Sequence, residues 1–363
     1  MVLEIIWTQK VNMNELGQLF ITGINGHYLT DEEARFISDE KIGGVILFDR
    51  NFESLGQVGE LINSIQELNK QTPLFIALDY EGGRVQRFKK SLSLIPPMLD
   101  IGTLGSPKLC YELGEIMAEE IKSIGINLNL APCCDIFSQK NNKVIGDRAF
   151  GKDHETVSKF VTSMVRAFQN NGIIACAKHF PGHGPTSKDS HFELPVVKKK
   201  LDQIHQEDIQ PFIKVIKSRV EMIMMAHLLV DDIDDKLPTS LSPKAHQILR
   251  DELGFKGVII SDDMDMKAIT DNYGLFEATK MALDSGTDIV EFSKFESAKE
   301  SYERLKESNF NSSHYQKKVD RILKLKKEYL SDHKPIFVPE IGKKIKTEQT
   351  ESFLSELNKK LLS

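Results

Sequence analysis

Eight short apolar runs, most of them separated by a helix-like segment, constrain the fold of this chain more than any other feature. Several runs are continuously apolar rather than alternating, which is typical of strands that are covered on both faces. The predicted strands are 19–24, 44–48, 74–79, 126–131, 173–179, 222–227, 258–262 and 288–292. Strands that alternate with helices favour a parallel sheet, and eight of them predict an α/β protein with a single (β/α)8 TIM barrel.

Polar residues follow many of these runs at the carboxyl end of the strand. In a barrel those ends share one rim, which is where the active sites of barrel enzymes lie. An open doubly wound sheet would distribute the same residues along a crevice, and no G-x-G-x-x-G follows an early strand to support a dinucleotide site. We therefore expect one site at the rim. Its candidates are Asp79, Asp135, Lys178, His179, His227, Asp262 and Asp263.

Two later segments have a clear helical period. Residues 113–124 carry apolar side chains at helical spacing and stop at Gly125, as helices often do. Residues 319–329 have a similar period and predict a late helix with a basic outer face.

The segment 334–363 differs from the rest of the chain. Pro335 and Pro339 interrupt it, and a lysine-rich stretch follows. It is too short for a second domain, so we expect a barrel domain over 1–333 and a tail over 334–363 that packs onto it, with a partner contact as the weaker alternative. Four apolar residues predict one short amphipathic helix in this tail: Phe353, Leu354, Leu357 and Leu361.

The composition excludes several classes of protein. With 40% hydrophobic residues, 28% charged residues and a net charge of −6, a general nucleic-acid or anionic-membrane surface is not expected. No apolar run reaches the roughly 18 residues of a membrane span, and the first residues lack the pattern of a secretory signal. The 4 cysteines show no C-x-x-C spacing and are interpreted as reduced thiols. We expect a cytoplasmic protein.

The densest group of titratable side chains lies in residues 178–191, where KHFPGHG is followed closely by DSH. The apolar run before it indicates a buried strand that ends in a polar cluster, and its Gly and Pro residues give the following loop an unusual path. Side chains that exchange protons at neutral pH are rarely concentrated in this way for packing alone, so a solvated polar loop is the weaker interpretation. Lys178 and His179 are expected to contact a ligand or to belong to a buried network.

Asp262 lies in the segment GVIISDDM, at the tip of an apolar strand. A carboxylate that is partly desolvated there can act as a nucleophile toward an electrophilic carbon. The alternative is an N-cap of the next helix, a role that the adjacent Asp263 can fill equally well. We expect Asp262 to be catalytic.

Four acidic and basic residues outside the Asp262 segment are candidates for the site. Asp189 and His191 are separated by one residue, so they can form a carboxylate–imidazole pair that transfers protons. Asp79 begins the segment DYEGGR, whose glycines permit a tight turn and leave its carboxylate free to bind ligand hydroxyls. Arg148 can bind a carbonyl or carboxylate group, or simply pair with Asp147.

Together these motifs resemble the β-N-acetylglucosaminidases of glycoside hydrolase family 3. The resemblance extends over residues 16–330, with the motifs in the family's order, and it is therefore highly specific. The matching motifs are GGVILF at 43–48, D-x-EGGRVQRF at 79–88, AP-x-x-D at 131–135, KHFPGHG with DSH at 178–191, and SDDM at 261–264.

The resemblance implies a role for each matching residue. Asp262 is implied to be the nucleophile, His191 the general acid/base, and Asp189 the partner that orients and charges His191. The ring of N-acetylglucosamine is implied to be bound by four residues, with His227 close by: Asp79, Arg148, Lys178 and His179.

Four positions depart from the family's pattern. Pro185 stands where the family usually has Asp, and Tyr80 replaces a common Gln. Cys133 and Cys134 replace apolar residues. Pro185 can stiffen or redirect the loop that carries His191. No implied catalytic or ring-binding position is lost.

The implied activity is that of a retaining exo-β-N-acetylglucosaminidase, acting on a small carbohydrate without a cofactor or metal ion. The expected substrates are peptidoglycan-derived muropeptides recycled in a bacterial cytosol, although chitin fragments and glycolipids present the same terminal sugar. We expect a monomer with neither nucleic-acid nor membrane partners.

Three other functions are weighed against this one. A phosphorylase of the same family would use phosphate in place of water. A metal-dependent barrel hydrolase would use His179, His183, Asp189 and His191 as ligands, but the intervening PG breaks the helix that such spacing needs. A non-catalytic sugar-binding module is disfavoured because every candidate catalytic residue is present.

Overall fold

The computed structural model describes residues 13–184, 186, 194–308 and 312–362. Its centre is a closed barrel of parallel strands, in which the last strand pairs with the first through Val290 and Phe20. Each predicted run overlaps one strand, and two of the strands extend one residue past the predicted end, so the predicted (β/α)8 barrel is confirmed. The strands are β1 (Phe20–Thr22), β2 (Gly44–Ile46), β3 (Phe75–Leu78), β4 (Leu128–Asn129), β5 (Ile174–Phe180), β6 (Met222–Met225), β7 (Val258–Asp263) and β8 (Ile289–Phe292).

The barrel strands are buried because helices cover their outer face and packed side chains fill the interior. Of the residues in these strands, only Asp262 and Asp263 are partly exposed. Both lie at the carboxyl end of β7, so the rim opens to solvent at the predicted nucleophile.

Helices surround the barrel, and short sheets and helical turns connect them. Two small sheets lie at the rim: Tyr80–Gly82 pairs with Val85–Gln86, and Val196–Val197 pairs with Leu229–Val230. The α-helices are α1 (Asp31–Asp39), α2 (Leu55–Glu67), α3 (Met98–Thr103), α4 (Pro107–Ser123), α5 (His154–Asn170), α6 (Leu201–Gln206), α7 (Gln210–Lys217), α8 (Pro243–Gln247), α9 (Lys267–Thr270), α10 (Leu275–Ser285), α11 (Phe295–Glu307), α12 (Ser312–Leu330) and α13 (Glu348–Leu362). The 3-10 segments are Met13–Leu19, Asp49–Asn51, Gly146–Arg148 and Val338–Lys344, and one π-helical turn spans Ile248–Glu252.

Helix α4 shows how the sequence produces the outer layer. Ser106 accepts a hydrogen bond from the backbone N–H of Leu109, and Pro107 occupies the first turn, where its missing N–H costs nothing. The predicted stop at Gly125 is confirmed. Its φ of +94° favours glycine, and a side chain there would collide with Ile336.

The late helix α12 carries a lysine on its buried face. Lys326 is 2% exposed, its Nζ donates to Oε1 of Gln18 at 2.8 Å, and it lies 4.9 Å from the ring centroid of Phe75. Burial lowers the pKa of Lys326 to about 7. The predicted basic outer face therefore excludes this residue.

The predicted tail helix is present as α13, where Leu357 is buried. The segment before it packs onto the core through the buried Ile341 and Ile345, and the backbone N–H of Lys346 donates to Oε1 of Glu120 at 3.0 Å. The division of the chain into 1–333 and 334–363 stays a prediction. None of the described helices is both long and apolar enough to span a membrane.

Candidate active site

A pocket of about 290 Å³ opens at the carboxyl ends of the barrel strands. This volume is at the lower end of the range for small-molecule sites, so the pocket accommodates one small ligand. Its walls are rich in charge, which favours a polar ligand. Among the residues predicted from the sequence, those that line the pocket are Asp79, Arg148, Lys178, His179, His183, Asp262 and Asp263.

One wall of the pocket is a network of ion pairs. Nζ of Lys178 lies 2.8 Å from Oδ1 of Asp79 and 2.6 Å from Oε1 of Glu81. Arg148 donates to the same Glu81 carboxylate from Nε at 2.8 Å and from Nη2 at 2.7 Å. Nη2 of Arg87 donates to Oδ2 of Asp79 at 2.9 Å. Each carboxylate oxygen therefore has a cationic partner, and Asp79 is held by the protein before any ligand arrives.

Burial and pairing have opposite effects on the protonation of this network. Desolvation is the largest single influence and raises the pKa of Glu81, but Arg148 and Lys178 together outweigh it and lower that pKa to about 2. The pKa of Asp79 is likewise lowered, because Lys178 and Arg87 overcome its desolvation. Desolvation opposes the charge of Lys178, yet its two carboxylate partners raise its pKa. These groups are charged at neutral pH.

Glu81 was not among the residues predicted from the sequence. It lies in the hairpin strand Tyr80–Gly82, directly after Asp79, and its carboxylate is buried. The signal that could have identified it is the acidic residue two positions beyond a strand end, beside two glycines. The adjacent Tyr80 is buried away from the pocket, where its hydroxyl donates to the carbonyl oxygen of Ser93 at 2.9 Å.

His179 is held between an acid and a cation. Its Nδ1 lies 2.6 Å from Oδ2 of Asp135, and its Nε2 lies 3.3 Å from Nη2 of Arg148. Because a guanidinium only donates, Nε2 accepts and the ring proton is on Nδ1, facing Asp135. Desolvation raises the pKa of Asp135, but contacts with His179 and His183 outweigh it and lower the pKa below its ordinary value. Asp135 thus sets the tautomer of His179.

The loop after β5 is fixed as far as Gly184. Oδ1 of Asp135 accepts the backbone N–H of His183 at 2.6 Å, and the side-chain amide of Asn142 donates to the carbonyl oxygens of His183 and Gly184 at 2.9 and 3.0 Å. Burial lowers the pKa of the His183 ring to about 4, so the ring is neutral at pH 7. The predicted dyad of Asp189 and His191, and the departure at Pro185, lie outside the described residues. Their roles stay predictions.

Asp262 and Asp263 form a second wall at the end of β7, and both line the pocket. Oδ1 of Asp262 accepts the backbone N–H of Asp263 at 2.9 Å. Oδ1 of Asp263 accepts the backbone N–H groups of Asp265 and Ser293, each at 3.0 Å. Burial and the nearby Asp265 carboxylate raise the pKa of Asp263 to about 6. The alternative role as an N-cap is not observed, because α9 has Met266 at that position.

A second carboxyl group that the sequence reasoning missed is Glu291, on β8. Its side chain lines the pocket and is 3% exposed. Desolvation, followed by the nearby Asp263, Asp79 and Asp262 carboxylates, raises the pKa of Glu291 well above its usual range. The available signal was an acidic residue within the apolar run 288–292.

For two of the predicted residues the structure shows partners that the sequence did not indicate. Arg148 does not pair with Asp147, because Glu81 engages its guanidinium and Asp147 pairs instead with Arg84 at 2.9 Å. His227 is fully buried, with Nδ1 2.7 Å from Oγ of Ser240 and Nε2 3.1 Å from the carbonyl oxygen of Asp263. Its Nε2–H therefore holds the backbone next to Asp262.

One described cluster has the atoms to bind a metal ion. Cys133, Asp135 and His179 each place one potential ligand atom within 4.8 Å of the others. The thiol of Cys133 donates to Oδ2 of Asp135 at 3.2 Å, and burial, with the adjacent Asp135 carboxylate, raises its pKa well above the usual range. Hydrogen bonds within the cluster therefore account for its geometry.

Comparison with known proteins identifies the family of this chain. Residues 11–325 match the family model described as the glycosyl hydrolase family 3 N-terminal domain. The chain is 39% identical over 272 residues to a β-hexosaminidase of Methylobacillus flagellatus, covering 73% of this chain and 77% of that protein. It is 37% identical over 279 residues to a β-hexosaminidase of Stenotrophomonas maltophilia, covering 75% and 82%.

Solved structures are similar over almost the whole chain. A glycoside hydrolase family 3 β-N-acetylglucosaminidase from Paenibacillus superimposes with a TM-score of 0.92 and 32% identity, covering 96% of this chain and 68% of that one. NagZ from Neisseria gonorrhoeae, solved with N-trifluoroacetyl-D-glucosamine, has a TM-score of 0.79 and 29% identity, covering 94% and 98%.

Proposed function

The chain belongs to glycosyl hydrolase family 3, and from that premise we propose that it is a retaining exo-β-N-acetylglucosaminidase. It is a glycoside hydrolase related to the β-hexosaminidases. The observation that carries the proposal is the Asp262 carboxyl group. It is partly exposed at the end of β7 and shares a small pocket with a preformed network of ion pairs.

The network suits a neutral, hydroxyl-rich ligand. Its cations Lys178, Arg148 and Arg87 are matched by the carboxylates of Asp79, Glu81 and the His179-bound Asp135. A ligand that carries no charge therefore leaves this balance unchanged. We assign Asp79, Arg148, Lys178 and His179 to binding the terminal N-acetylglucosamine ring, since Asp79, Arg148 and Lys178 are ionised and ionised groups make stronger hydrogen bonds to hydroxyls than neutral ones.

We propose that catalysis follows two displacements at the anomeric carbon, C1. The Asp262 carboxylate attacks C1, a C1–Oδ bond forms, and the bond from C1 to the leaving oxygen breaks. Protonated His191 gives its proton to that oxygen, and the Asp189 carboxylate stabilises the imidazolium. Neutral His191 then takes a proton from water, which attacks C1 and releases Asp262. Two inversions leave the β configuration unchanged.

His227 is assigned a positioning role in this scheme. Its Nε2–H holds the carbonyl oxygen of Asp263, the residue that follows the nucleophile. We infer that His227 acts through the backbone of β7 and keeps Asp262 aimed at C1.

Trapping the intermediate tests the proposal. His191→Ala should form the glycosyl-enzyme from an activated aryl N-acetyl-β-glucosaminide but hydrolyse it slowly. Intact mass spectrometry should then show one added N-acetylglucosaminyl unit, which peptide mapping assigns to Asp262. The double variant that also carries Asp262→Asn is the matched control and should show no adduct. An adduct elsewhere, or none in either protein, contradicts the assignment.

The proposed natural substrate is a peptidoglycan-derived muropeptide, which places the enzyme in bacterial cell-wall recycling in the cytoplasm. The bacterial origin of the relatives supports this substrate. The test is kcat/KM on a muropeptide disaccharide against chitobiose. A strong preference for chitobiose contradicts the recycling role.

Analysis of the released sugar distinguishes hydrolysis from phosphorolysis. In phosphate buffer a hydrolase releases free N-acetylglucosamine, whereas a phosphorylase releases the sugar 1-phosphate. We expect the free sugar, with a rate that does not depend on phosphate. A rate that rises with phosphate, together with sugar phosphate as the product, would replace the hydrolase by the phosphorylase alternative.

A further inference from the structure

Glu291 occupies a position in the barrel that its backbone contacts define closely. It pairs with Asp263 of β7 on one side and with Ile21 of β1 on the other. Its N–H donates to Oγ of Ser261 at 3.0 Å, and its carbonyl oxygen accepts the N–H of Met264 at 2.9 Å. Because the backbone is held on both sides, the side chain has a defined direction. It lines the same pocket as Asp262.

The carboxyl group of Glu291 is buried without a complementary charge. Its Oε2 is inaccessible to water and has no hydrogen-bond partner in the part of the chain that the structure describes. Lys178, the cation that influences it, is already bound by Asp79 and Glu81 at 2.8 and 2.6 Å. A buried polar group in this state is costly unless a ligand completes its hydrogen bonds.

The groups that face Glu291 keep it protonated. Carboxylates approach it from two elements, Asp262 and Asp263 on β7 and Asp79 after β3, and the Lys178 ammonium approaches from β5. Burial disfavours its charged form first, and the three carboxylates add to this effect, so its pKa is well above the usual range. At neutral pH the side chain is a carboxylic acid, which has an O–H to donate.

We propose that Glu291 is a specificity-determining residue that contacts the bound sugar as a neutral carboxylic acid and donates a hydrogen bond to one of its acceptor oxygens. The acceptor is a ring hydroxyl or the acetamido carbonyl oxygen, both neutral. This inference rests on the proposed function and adds a contact to it. In its neutral form Glu291 also places no further negative charge beside the Asp262 nucleophile.

Two substitutions separate this role from its alternatives. Glu291→Gln keeps the shape and a donor but cannot ionise, so it should retain kcat/KM within about threefold of wild type. Glu291→Leu has similar bulk but no donor and should lose roughly tenfold or more in kcat/KM on an aryl N-acetyl-β-glucosaminide. Ser301→Ala, which removes another buried oxygen without a described partner, on the outer helix α11, is the matched control and should leave kcat/KM unchanged.

Each result has a defined meaning. If Glu291→Gln is as impaired as Glu291→Leu, the residue works ionised and the inference is wrong. If Glu291→Leu keeps full activity, Glu291 does not contact the sugar and the inference is again wrong. If the wild-type enzyme neither cleaves the aryl substrate nor binds N-acetylglucosamine by calorimetry, the proposed function fails, and this contact fails with it.

An infrared measurement tests the protonation state without relying on activity. The difference spectrum between wild type and Glu291→Gln at pH 7 should contain the C=O stretching band of one protonated carboxyl group. Binding of N-acetylglucosamine should shift that band to lower frequency, because the O–H then donates a hydrogen bond. The absence of the band, or a band that the sugar does not move, overturns the inference.

Discussion

The two sides of the pocket shift the pKa of their carboxyl groups in opposite directions. On the side of β3 and β5, the carboxylates of Asp79 and Glu81 meet Lys178, Arg148 and Arg87, and we call these five residues the paired wall. On the side of β7 and β8, Asp262, Asp263 and Glu291 lie close together, and we call these three the acidic wall. The pKa of Glu81 falls to about 2, whereas that of Asp263 rises to about 6.

The difference shows that position within the pocket, and not burial alone, sets the charge of a carboxyl group. Desolvation raises the pKa on both walls, but only the paired wall has cations to reverse it. Groups that are permanently charged suit the recognition of hydroxyls. Carboxyl groups whose pKa is raised toward neutral pH are typical of the part of a site where the reaction takes place.

The comparison predicts that the acidic wall contains the nucleophile. Asp262→Asn should lower kcat by at least about a thousandfold, because a lost nucleophile removes several kcal/mol of transition-state stabilisation. Steady-state turnover of an aryl N-acetyl-β-glucosaminide measures this, with the melting temperature as a check on the fold. Asp263→Asn is the matched control and should stay within about tenfold of wild type. Activity of Asp262→Asn within about tenfold of wild type would contradict the assignment.

The proton donor that we assign to His191 predicts an effect that depends on the leaving group. His191→Ala should lower kcat/KM by roughly a hundredfold or more on a natural disaccharide, whose leaving group needs a proton, and far less on an activated aryl glycoside. Azide should restore turnover of the activated substrate by releasing the covalent intermediate. Asp189→Asn should show a milder form of the same pattern. Equal losses on both substrates without azide rescue indicate that His191 only binds a hydroxyl.

The paired wall should contribute stability that the acidic wall does not. Lys178→Met leaves Asp79 and Glu81 without a shared cation in a buried site, and it should lower the free energy of unfolding by about 3 kcal/mol or more. Urea denaturation measures the change. Lys343→Met, which breaks the exposed pair with Glu340, is the control and should cost less than about 1 kcal/mol. If Lys178→Met lowers the free energy of unfolding as little as the control does, the ion pairs of the paired wall do not stabilise the protein.

The smallest predicted effect is an increase in the free energy of unfolding, and it comes from replacing Asp263. Its raised pKa means that between about pH 4 and 6 the folded protein keeps a proton that the unfolded chain has released, so stability falls as the pH rises. Asp263→Asn keeps the Oδ1 acceptor and removes this penalty. Because the group is partly exposed, we expect a gain of about 1 kcal/mol at pH 7 and little change at pH 4. Equal effects at both pH values would show that the group titrates normally.

Much of the fold could be predicted from local sequence. The apolar runs 44–48 and 222–227 predict buried strands because a strand covered on both faces needs apolar residues throughout. The stop at Gly125 and the tail helix follow from equally local rules. Lys326 shows the limit of such rules. The helical period of residues 319–329 places Lys326 on the helix, but only its contacts with Gln18 and Phe75 show that the ammonium is buried.

The candidate site could be predicted only in part. Asp79, Lys178 and Asp262 could be identified because each stands at the end of an apolar run, and strand ends meet at the rim of a barrel. Their partners could not be assigned, because contacts such as Lys178 to Asp79 join residues 99 positions apart. Arg148 shows the same limit, since its sequence neighbour Asp147 is bound by another arginine.

The sequence by itself determined which strands form, where each lies to within a few residues, and which acidic and basic side chains reach the rim. Those properties depend on the local alternation of apolar, polar and turn residues, which acts over a few positions. Only the tertiary structure decided that Glu81 is charged and Glu291 is neutral, although both are buried glutamates, Glu291 lining the pocket and Glu81 bound to the Lys178 and Arg148 side chains that line it. The physical reason is that the pKa of a buried carboxyl group depends on whether a cation lies within hydrogen-bonding distance, and closure of the barrel sets those distances.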